Sequence, residues 1–239
     1  MSIWQAYTPE GREALSLHTG YKILTLKKDE KSWHIAVEAT DTAGAAPLPH
    51  PSPPFNEALW QRFFTQKLQK LIFHPALPDR AVVLKSQNQR NLLPREKVQL
   101  YLAIPLWGRL YTNRKSRELF LLETPLAHYP ETWFANHNDG ELAYSLKATF
   151  YSTPTSVIPE AWQAICPVAL ENATHELLPI ENFCLRLPLC NIYQKDNQLV
   201  TDTIQVKFRG RHSESIIDIK RDKELTGKQQ PITLAREEN

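Results

Sequence analysis

The segment Val98-Gln-Leu-Tyr-Leu-Ala-Ile104 places an aliphatic residue at every even position. Successive side chains of a β-strand point to opposite faces of a sheet, so this period of two predicts a strand that is buried on one face. The same period recurs at 33–38, 141–150 and 204–209, and further strands are expected at 21–27, 81–85, 118–123, 164–170, 181–187 and 215–219. The sequence therefore predicts a mainly β fold, an antiparallel two-sheet sandwich with at most one or two short helices.

The composition agrees with a β protein that has many turns. The 239 residues include 18 prolines, which lack a backbone N–H and are accommodated at turns, sheet edges and strand starts. The seven glycines form neither a phosphate-binding loop nor a Gly-x-Ser-x-Gly elbow, which argues against nucleotide-binding and serine-hydrolase functions. A net charge of +2 argues against nucleic acid as the main partner.

One stretch after the proline-rich segment 47–54 has the spacing of a helix. Asn56 is a suitable N-cap, and apolar residues follow at intervals of three and four: Leu59, Trp60, Phe63, Phe64 and Leu68. The strand-like run Leu71-Ile-Phe73 follows at once, so the sequence permits a helix here without requiring one.

Three regions are distinguished along the chain. Residues 1–75 hold N-terminal strands, the proline-rich loop and the candidate helix, and we expect them to belong to the same domain as residues 76–220, the core of the sandwich. Whether residues 1–75 form a lobe of their own stays open. Residues 221–239 are charged and lose the alternation, which predicts a flexible tail.

The features that bear on location point to the cytoplasm. The N-terminus lacks a basic segment followed by an apolar one, and no run approaches the roughly 18 apolar residues that cross a bilayer. Three cysteines, Cys166, Cys184 and Cys190, are too sparse and odd in number for a disulfide framework. We expect a cytoplasmic protein that does not span the membrane, with its thiols buried as small apolar groups.

The densest polar and aromatic segment is Thr132-Trp-Phe-Ala-Asn-His-Asn-Asp-Gly-Glu141. His137, Asp139 and Glu141 alternate along it, and side chains of these types at this spacing can converge on a metal ion. A metal site would make the protein a metal-assisted hydrolase or a sugar-active enzyme. The simpler interpretation is that Asn138-Asp-Gly140 forms a turn and that Glu141 begins the polar face of the next strand.

The same region supplies a candidate binding patch. We expect an apolar and aromatic surface that holds a small ligand or a protein partner, formed by Trp107, Trp133, Phe134, Asn136 and Tyr144. No constellation of catalytic residues is evident, so catalytic residues stay unassigned and no cofactor is predicted apart from the metal of the alternative. The favoured function is a non-enzymatic binding or protein-interaction module.

Three blocks of the sequence resemble the domain of unknown function 432 (DUF432) family of prokaryotic proteins. The first is Leu77-Pro-Asp-Arg-Ala-Val-Val-Leu84, which leads to Ile104-Pro-Leu-Trp107. The second is Thr132-Trp-Phe-Ala135 with Gly140-Glu-Leu-Ala-Tyr144, where the family pattern has Gly at Ala135 and Cys at Ala143. The third is Cys166-Pro-Val168 with Leu185-Arg-Leu-Pro188 and Asn191-Ile-Tyr193.

The resemblance implies a soluble cytoplasmic protein of archaea or bacteria and supplies no reaction. It also suggests an accessory role at a mechanosensitive channel, which makes such a channel a candidate partner. Exposed edge strands of a sandwich would in addition permit a homodimer.

Overall fold

The computed structural model of the chain describes residues 3–8, 14–29, 31–47, 57–64, 70–88, 90–114, 117–134, 140–210, 215–221 and 230–236. Over these residues the protein is mainly β, as predicted. The first strands are β1 (Ala6–Tyr7), β2 (Leu15–Lys28), β3 (Ser32–Pro47), β4 (Gln61–Phe64), β5 (Leu71–Ala76), β6 (Val82–Ser86), β7 (Asn91–Leu92), β8 (Lys97–Pro105), β9 (Trp107–Arg114) and β10 (Arg117–Pro125).

The remaining strands are β11 (Glu131–Phe134), β12 (Glu141–Ala148), β13 (Gln163–Asn172), β14 (Leu178–Pro179), β15 (Asn182–Leu185), β16 (Ile192–Lys195), β17 (Gln198–Thr201), β18 (Thr203–Phe208) and β19 (Ile216–Lys220). Helical structure in the described ranges is confined to 3-10 turns at Glu57–Leu59, Pro154–Ser156 and Leu187–Leu189. None of these turns has the length or the apolar character needed to cross a membrane.

The chain divides into two compact units. The first comprises residues 1–76 and 105–128, and the second comprises residues 77–104 and 129–239. Residues 105–128, which the sequence analysis placed in the core of the sandwich, thus belong with the N-terminal residues. The strands β9 and β10 explain this grouping, because β9 pairs with β5 in one antiparallel sheet.

The first unit holds the sheets β2-β3-β4 and β1-β5-β9-β10. A glycine is required where β2 meets the segment that follows β10. Gly20 has φ of +57°, and a Cβ atom at this position would collide with the carbonyl oxygen of Leu126. The same oxygen accepts a hydrogen bond of 2.7 Å from the backbone of Tyr21, which fixes the close approach.

The candidate helix after Asn56 is wrong over the residues that the structure describes. Residues 57–59 form a single 3-10 turn, and β4 then pairs antiparallel with β3, so that Phe63 lies opposite Trp33. Pairing along an existing strand satisfies the backbone of this short aromatic segment, and this outweighs the helical spacing of its side chains. Asn56 and Leu68 lie outside the described residues.

The second unit holds a four-stranded sheet, β11-β12-β6-β15, which we call the site sheet. Its larger sheet has the order β16-β17-β13-β18-β19, and β8 also pairs with β13. The side chains of Leu100, Leu102 and Ile104 on β8 are fully buried, as the period of two predicts. A short sheet of β7 and β14 completes this unit within the described ranges.

The arrangement of the strands differs from two antiparallel sheets. The described strands form five sheets, and β6 with β12, β13 with β17 and β13 with β18 are parallel pairs. Local alternation determines which residues share a face, but it does not determine which strand lies next to which.

Part of the predicted flexible tail packs against other residues of the second unit, to which it belongs. Thr233 forms an isolated bridge with Ile192, and the guanidinium of Arg236 donates to the carbonyl oxygen of Leu77 through Nε at 3.0 Å. The backbone N–H of Arg236 donates to the carbonyl of Pro188 at 2.8 Å. These contacts could not be predicted from the sequence, because they join residues that are far apart in the chain.

Candidate functional site

Parts of the three sequence blocks meet in the site sheet, whereas Cys166–Val168 of the third block lies on β13 of the larger sheet. β6 belongs to the first block, β11 and β12 carry the second, and β15 runs into the third. Two side-chain contacts join the blocks. The hydroxyl of Tyr144 donates to the carboxylate of Asp79 at 2.9 Å, and Nη1 of Arg186 lies 2.5 Å from Oε1 of Glu141.

The two faces of the site sheet differ in character. Phe134 packs on one face against a small buried cluster of Ala81, Val83, Ala143 and Cys184. The register explains this grouping, because Cys184 lies opposite Val83 and Phe134 lies opposite Glu141. The preceding residue, Trp133, projects to the other face and is 67% exposed.

An apolar pocket of about 260 Å³ lies on the Phe134 face. Both main sheets of the second unit contribute to its wall, and three polar residues, Glu171, Asn182 and Ser215, complete it. The principal apolar residues around it are Phe134, Leu170, Cys184, Val206, Phe208 and Ile217. Leu170, Val206 and Ile217 are neighbours in the register of β13, β18 and β19, which places them on one face.

An ion pair lies beside this pocket. Arg186 follows Cys184 by two positions and Glu141 is registered opposite Phe134, so both charged residues share a face with pocket residues. Nη1 of Arg186 also donates to Oε2 of Glu141 at 2.7 Å. Burial raises the pKa of Cys184 to about 11, which leaves the thiol protonated and unsuited to act as a nucleophile.

The opposite face of the site sheet carries a tyrosine cluster. The ring of Tyr129 meets that of Tyr144 edge-on at 5.2 Å, and the guanidinium of Arg80 lies 5.5 Å from the Tyr144 ring. Arg80 is held in place by Glu131, at 2.7 Å. Burial and the hydrogen bond to Asp79 raise the pKa of Tyr144 to about 12, so this hydroxyl acts as a hydrogen-bond donor within the fold.

A comparison with models of protein families shows which family the chain belongs to. A family model described as a protein of unknown function (DUF432) matches residues 3–239. The chain belongs to the DUF432 family. Neither the curated proteins nor the solved structures gave a match to it. Membership in DUF432 confirms the resemblance of the three blocks and leaves the site to be interpreted from its own geometry.

In this DUF432 protein the described residues of the predicted binding patch do not share one face of the site sheet. Phe134 reaches the apolar pocket, whereas Trp133 and Tyr144 belong to the opposite face. Trp107 begins β9 in the first unit, in register with Ala76 and Pro125. Asn136 lies outside the described residues. The alternation of side chains along β11 separates Trp133 from its neighbour Phe134.

The metal hypothesis for this DUF432 protein stays a prediction. His137 and Asp139 lie outside the described residues, and the carboxylate of Glu141 is engaged by Arg186. Within the parts of the chain that the structure describes, no group of three or more His, Cys, Asp or Glu side chains is placed to hold a metal ion.

Of the residues that line the pocket in this DUF432 protein, only Phe134 was predicted from the sequence to belong to a binding site. Val206 and Phe208 belong to a predicted alternating strand, but nothing local indicates that their face lines a cavity. The pairing of Arg186 with Glu141 was also missed, because 45 positions separate the two residues. The one usable signal was that Ile204, Val206 and Phe208 occupy alternate positions, which places them on the same face of a strand.

Proposed function

We propose that this protein is a non-enzymatic binding module and that the apolar pocket of its second unit holds a small, neutral, apolar ligand. The observation that carries the proposal is the pocket itself, where Phe134 and Cys184 of the site sheet lie with Val206 and Phe208 of the larger sheet. Concave sites lined by aromatic and aliphatic side chains, with few polar groups, are typical of small-molecule binding.

The size of the pocket favours a compact ligand. Its volume of about 260 Å³ is slightly below the range of about 300–1,000 Å³ that is usual for drug-sized ligands. Ligand affinity would come mainly from apolar area removed from water, at roughly 25 cal/mol per Å² before the costs of association. A protein partner would need a far larger surface than this pocket offers.

The chemistry of the lining supports binding rather than catalysis. Cys184 is the thiol in the pocket wall, and burial raises its pKa to about 11. The nearby carboxylate of Glu141 is neutralised by Arg186. A nucleophilic thiol would need a pKa lowered toward neutrality, whereas burial raises that of Cys184.

The proposal is tested with N-phenylnaphthylamine, a neutral dye whose fluorescence rises in apolar surroundings. The full chain should bind the dye, and Val206→Phe should abolish binding because the larger ring fills the pocket. Val37→Phe is the matched control, since it makes the same change at a half-buried strand position of the first unit. Absence of dye binding, or equal binding by Val206→Phe and the wild type, would contradict the proposal.

Cytoplasmic location and an accessory role at a mechanosensitive channel are further proposals. The cytoplasmic location is supported by the family resemblance together with the sequence features described above, and the channel role is supported by the family resemblance alone. Co-purification of a tagged copy with channel-containing membranes from the native host would test the channel partnership, and recovery only in the soluble fraction would count against it.

A further inference from the structure

A second, larger groove lies along the larger sheet of the second unit and shares part of its wall with the apolar pocket. It encloses about 570 Å³, within the range that is usual for small-molecule sites. Residues of β8, β13, β18 and β19 supply its wall, and both Glu171 and Lys207 line it. Leu170, Glu171 and Val206 line the groove as well as the apolar pocket. Its principal polar residues are Lys97, Gln99, Glu171, Lys207, Asp218 and Lys220.

Three charged residues of the groove, Lys97, Glu171 and Lys207, form a triad of ion pairs. Lys97 Nζ lies 3.0 Å from Oε2 of Glu171, and Lys207 Nζ lies 3.1 Å from Oε1 of the same carboxylate. These two ammonium groups lower the pKa of Glu171 and keep it ionised. One carboxylate thus lies between two cations, so the triad retains an excess of one positive charge.

The remaining charged residues of the groove leave its net positive charge unchanged. Lys220 adds one positive charge and Asp218 adds one negative charge, and both lie on β19 with one residue between them. The five charged side chains therefore sum to one net positive charge. A ligand that carries negative charge would balance it, whereas a cationic ligand would be repelled.

A hydrogen-bond donor at this groove also lacks an acceptor. The side-chain nitrogen Nε2 of Gln99 is buried and has no hydrogen-bond partner in the ranges that the structure describes. Buried donors in native proteins are nearly always hydrogen-bonded, so an acceptor from outside the chain would complete this one. Oxygen atoms are the acceptors that suit both an amide donor and ammonium groups.

We propose that this groove binds a small ligand that carries an oxyanion, either a carboxylate or a phosphate. Lys207 and Lys220 supply the opposing charge, Gln99 supplies an additional donor, and the bound anion lies over the triad. This site differs from the proposed apolar site in the chemistry that it accepts, and the two sites share Leu170, Glu171 and Val206 in their walls.

The test measures binding of inorganic phosphate and of citrate to the full chain by calorimetry at constant ionic strength. Lys220→Gln should weaken binding about tenfold, because it removes a charge-assisted contact. Asp218→Asn should strengthen binding, because it removes a negative charge from the groove. Lys147→Gln is the matched control, since it removes the same charge from an exposed position on β12 outside the groove.

The two probes distinguish the sources of the oxyanion. Preference for phosphate would assign a phosphorylated ligand, and preference for citrate would assign a carboxylic acid. The proposal is overturned if neither anion binds at millimolar concentration. It is equally overturned if Lys220→Gln, Asp218→Asn and Lys147→Gln give the same affinity.

Discussion

Trp133 and Phe134 are neighbours in the chain, but their side chains lie on opposite faces of the site sheet. Trp133 is 67% exposed, whereas Phe134 packs against Ala143 and Cys184 and lines the apolar pocket. Two adjacent aromatic residues therefore have different roles, and substitution can separate them.

We expect Trp133→Ala to change the free energy of unfolding by less than about 0.5 kcal/mol, as for other exposed positions. Phe134→Ala should lower it by about 2 kcal/mol, less than the roughly 3–5 kcal/mol of a fully buried phenylalanine, because Phe134 is only partly buried. Phe134→Ala should also weaken dye binding. Urea unfolding and dye titration check both effects, and loss of dye binding in Trp133→Ala alone would refute this assignment.

The ion pair between Glu141 and Arg186 should be structural and of modest strength. A double-mutant cycle with Glu141→Gln and Arg186→Gln, followed by urea unfolding, should give a coupling free energy of about 0.5–1 kcal/mol, since both side chains are partly exposed.

The same variants bear on the metal hypothesis. If Glu141 serves only as the partner of Arg186, the metal content of the purified protein should be equal in the wild type and in Glu141→Gln. Elemental analysis that finds stoichiometric metal in the wild type and none in the variant would instead establish Glu141 as a ligand, together with His137 and Asp139 as candidates.

The three cysteines should be inert in the folded protein. All three are buried and free, and burial raises the pKa of Cys166 to about 12 and raises that of Cys190 as well. A colorimetric thiol reagent at mildly alkaline pH should therefore detect no rapidly reacting thiol until a denaturant exposes them. Lys147→Cys serves as the positive control, because it adds one exposed thiol. A fast-reacting thiol in the native wild type would contradict the burial.

Asp29 should make folding sensitive to acid. A hydrogen bond from His34 at 2.8 Å and another from the backbone N–H of Lys31 hold the pKa of this carboxyl well below its ordinary value. A carboxyl whose pKa is depressed in the folded state contributes stability above its unfolded pKa of about 4, and this contribution is lost as the pH falls further.

Asp29→Asn should therefore flatten the dependence of stability on pH below about 4, with little change in slope above it. Asp41→Asn, at an exposed position of β3, is the matched control. Denaturant midpoints measured across the acid range test this prediction. If the curves for the wild type and Asp29→Asn are parallel, Asp29 does not cause the acid sensitivity.

The strands could be predicted from the sequence because their signal is local. The aliphatic positions of 98–104 form the buried face of β8, and the three cysteines are buried as expected. The segment after Asn56 shows the weakness of the same reasoning, since spacing alone suggested a helix where pairing with β3 produces a strand. A local pattern indicates which residues of a segment share a face. Pairing with a distant segment determines whether that segment becomes a strand or a helix.

The pocket could not be predicted because it depends on pairings between distant segments. Cys184 reaches it through the pairing of β15 with β6, and Val206 through the parallel pairing of β18 with β13. Phe134 was identified as a binding residue, but it was grouped with Trp133 by proximity in the chain. Because side chains alternate along a strand, two residues that are adjacent in a sequence motif project from opposite faces of the sheet.

The most direct test of the central claim is a crystal structure of the full chain with N-phenylnaphthylamine bound. We expect electron density for the dye in contact with Phe134, Cys184 and Val206. Dye bound elsewhere with this pocket empty, or a pocket filled by neighbouring side chains, would contradict it.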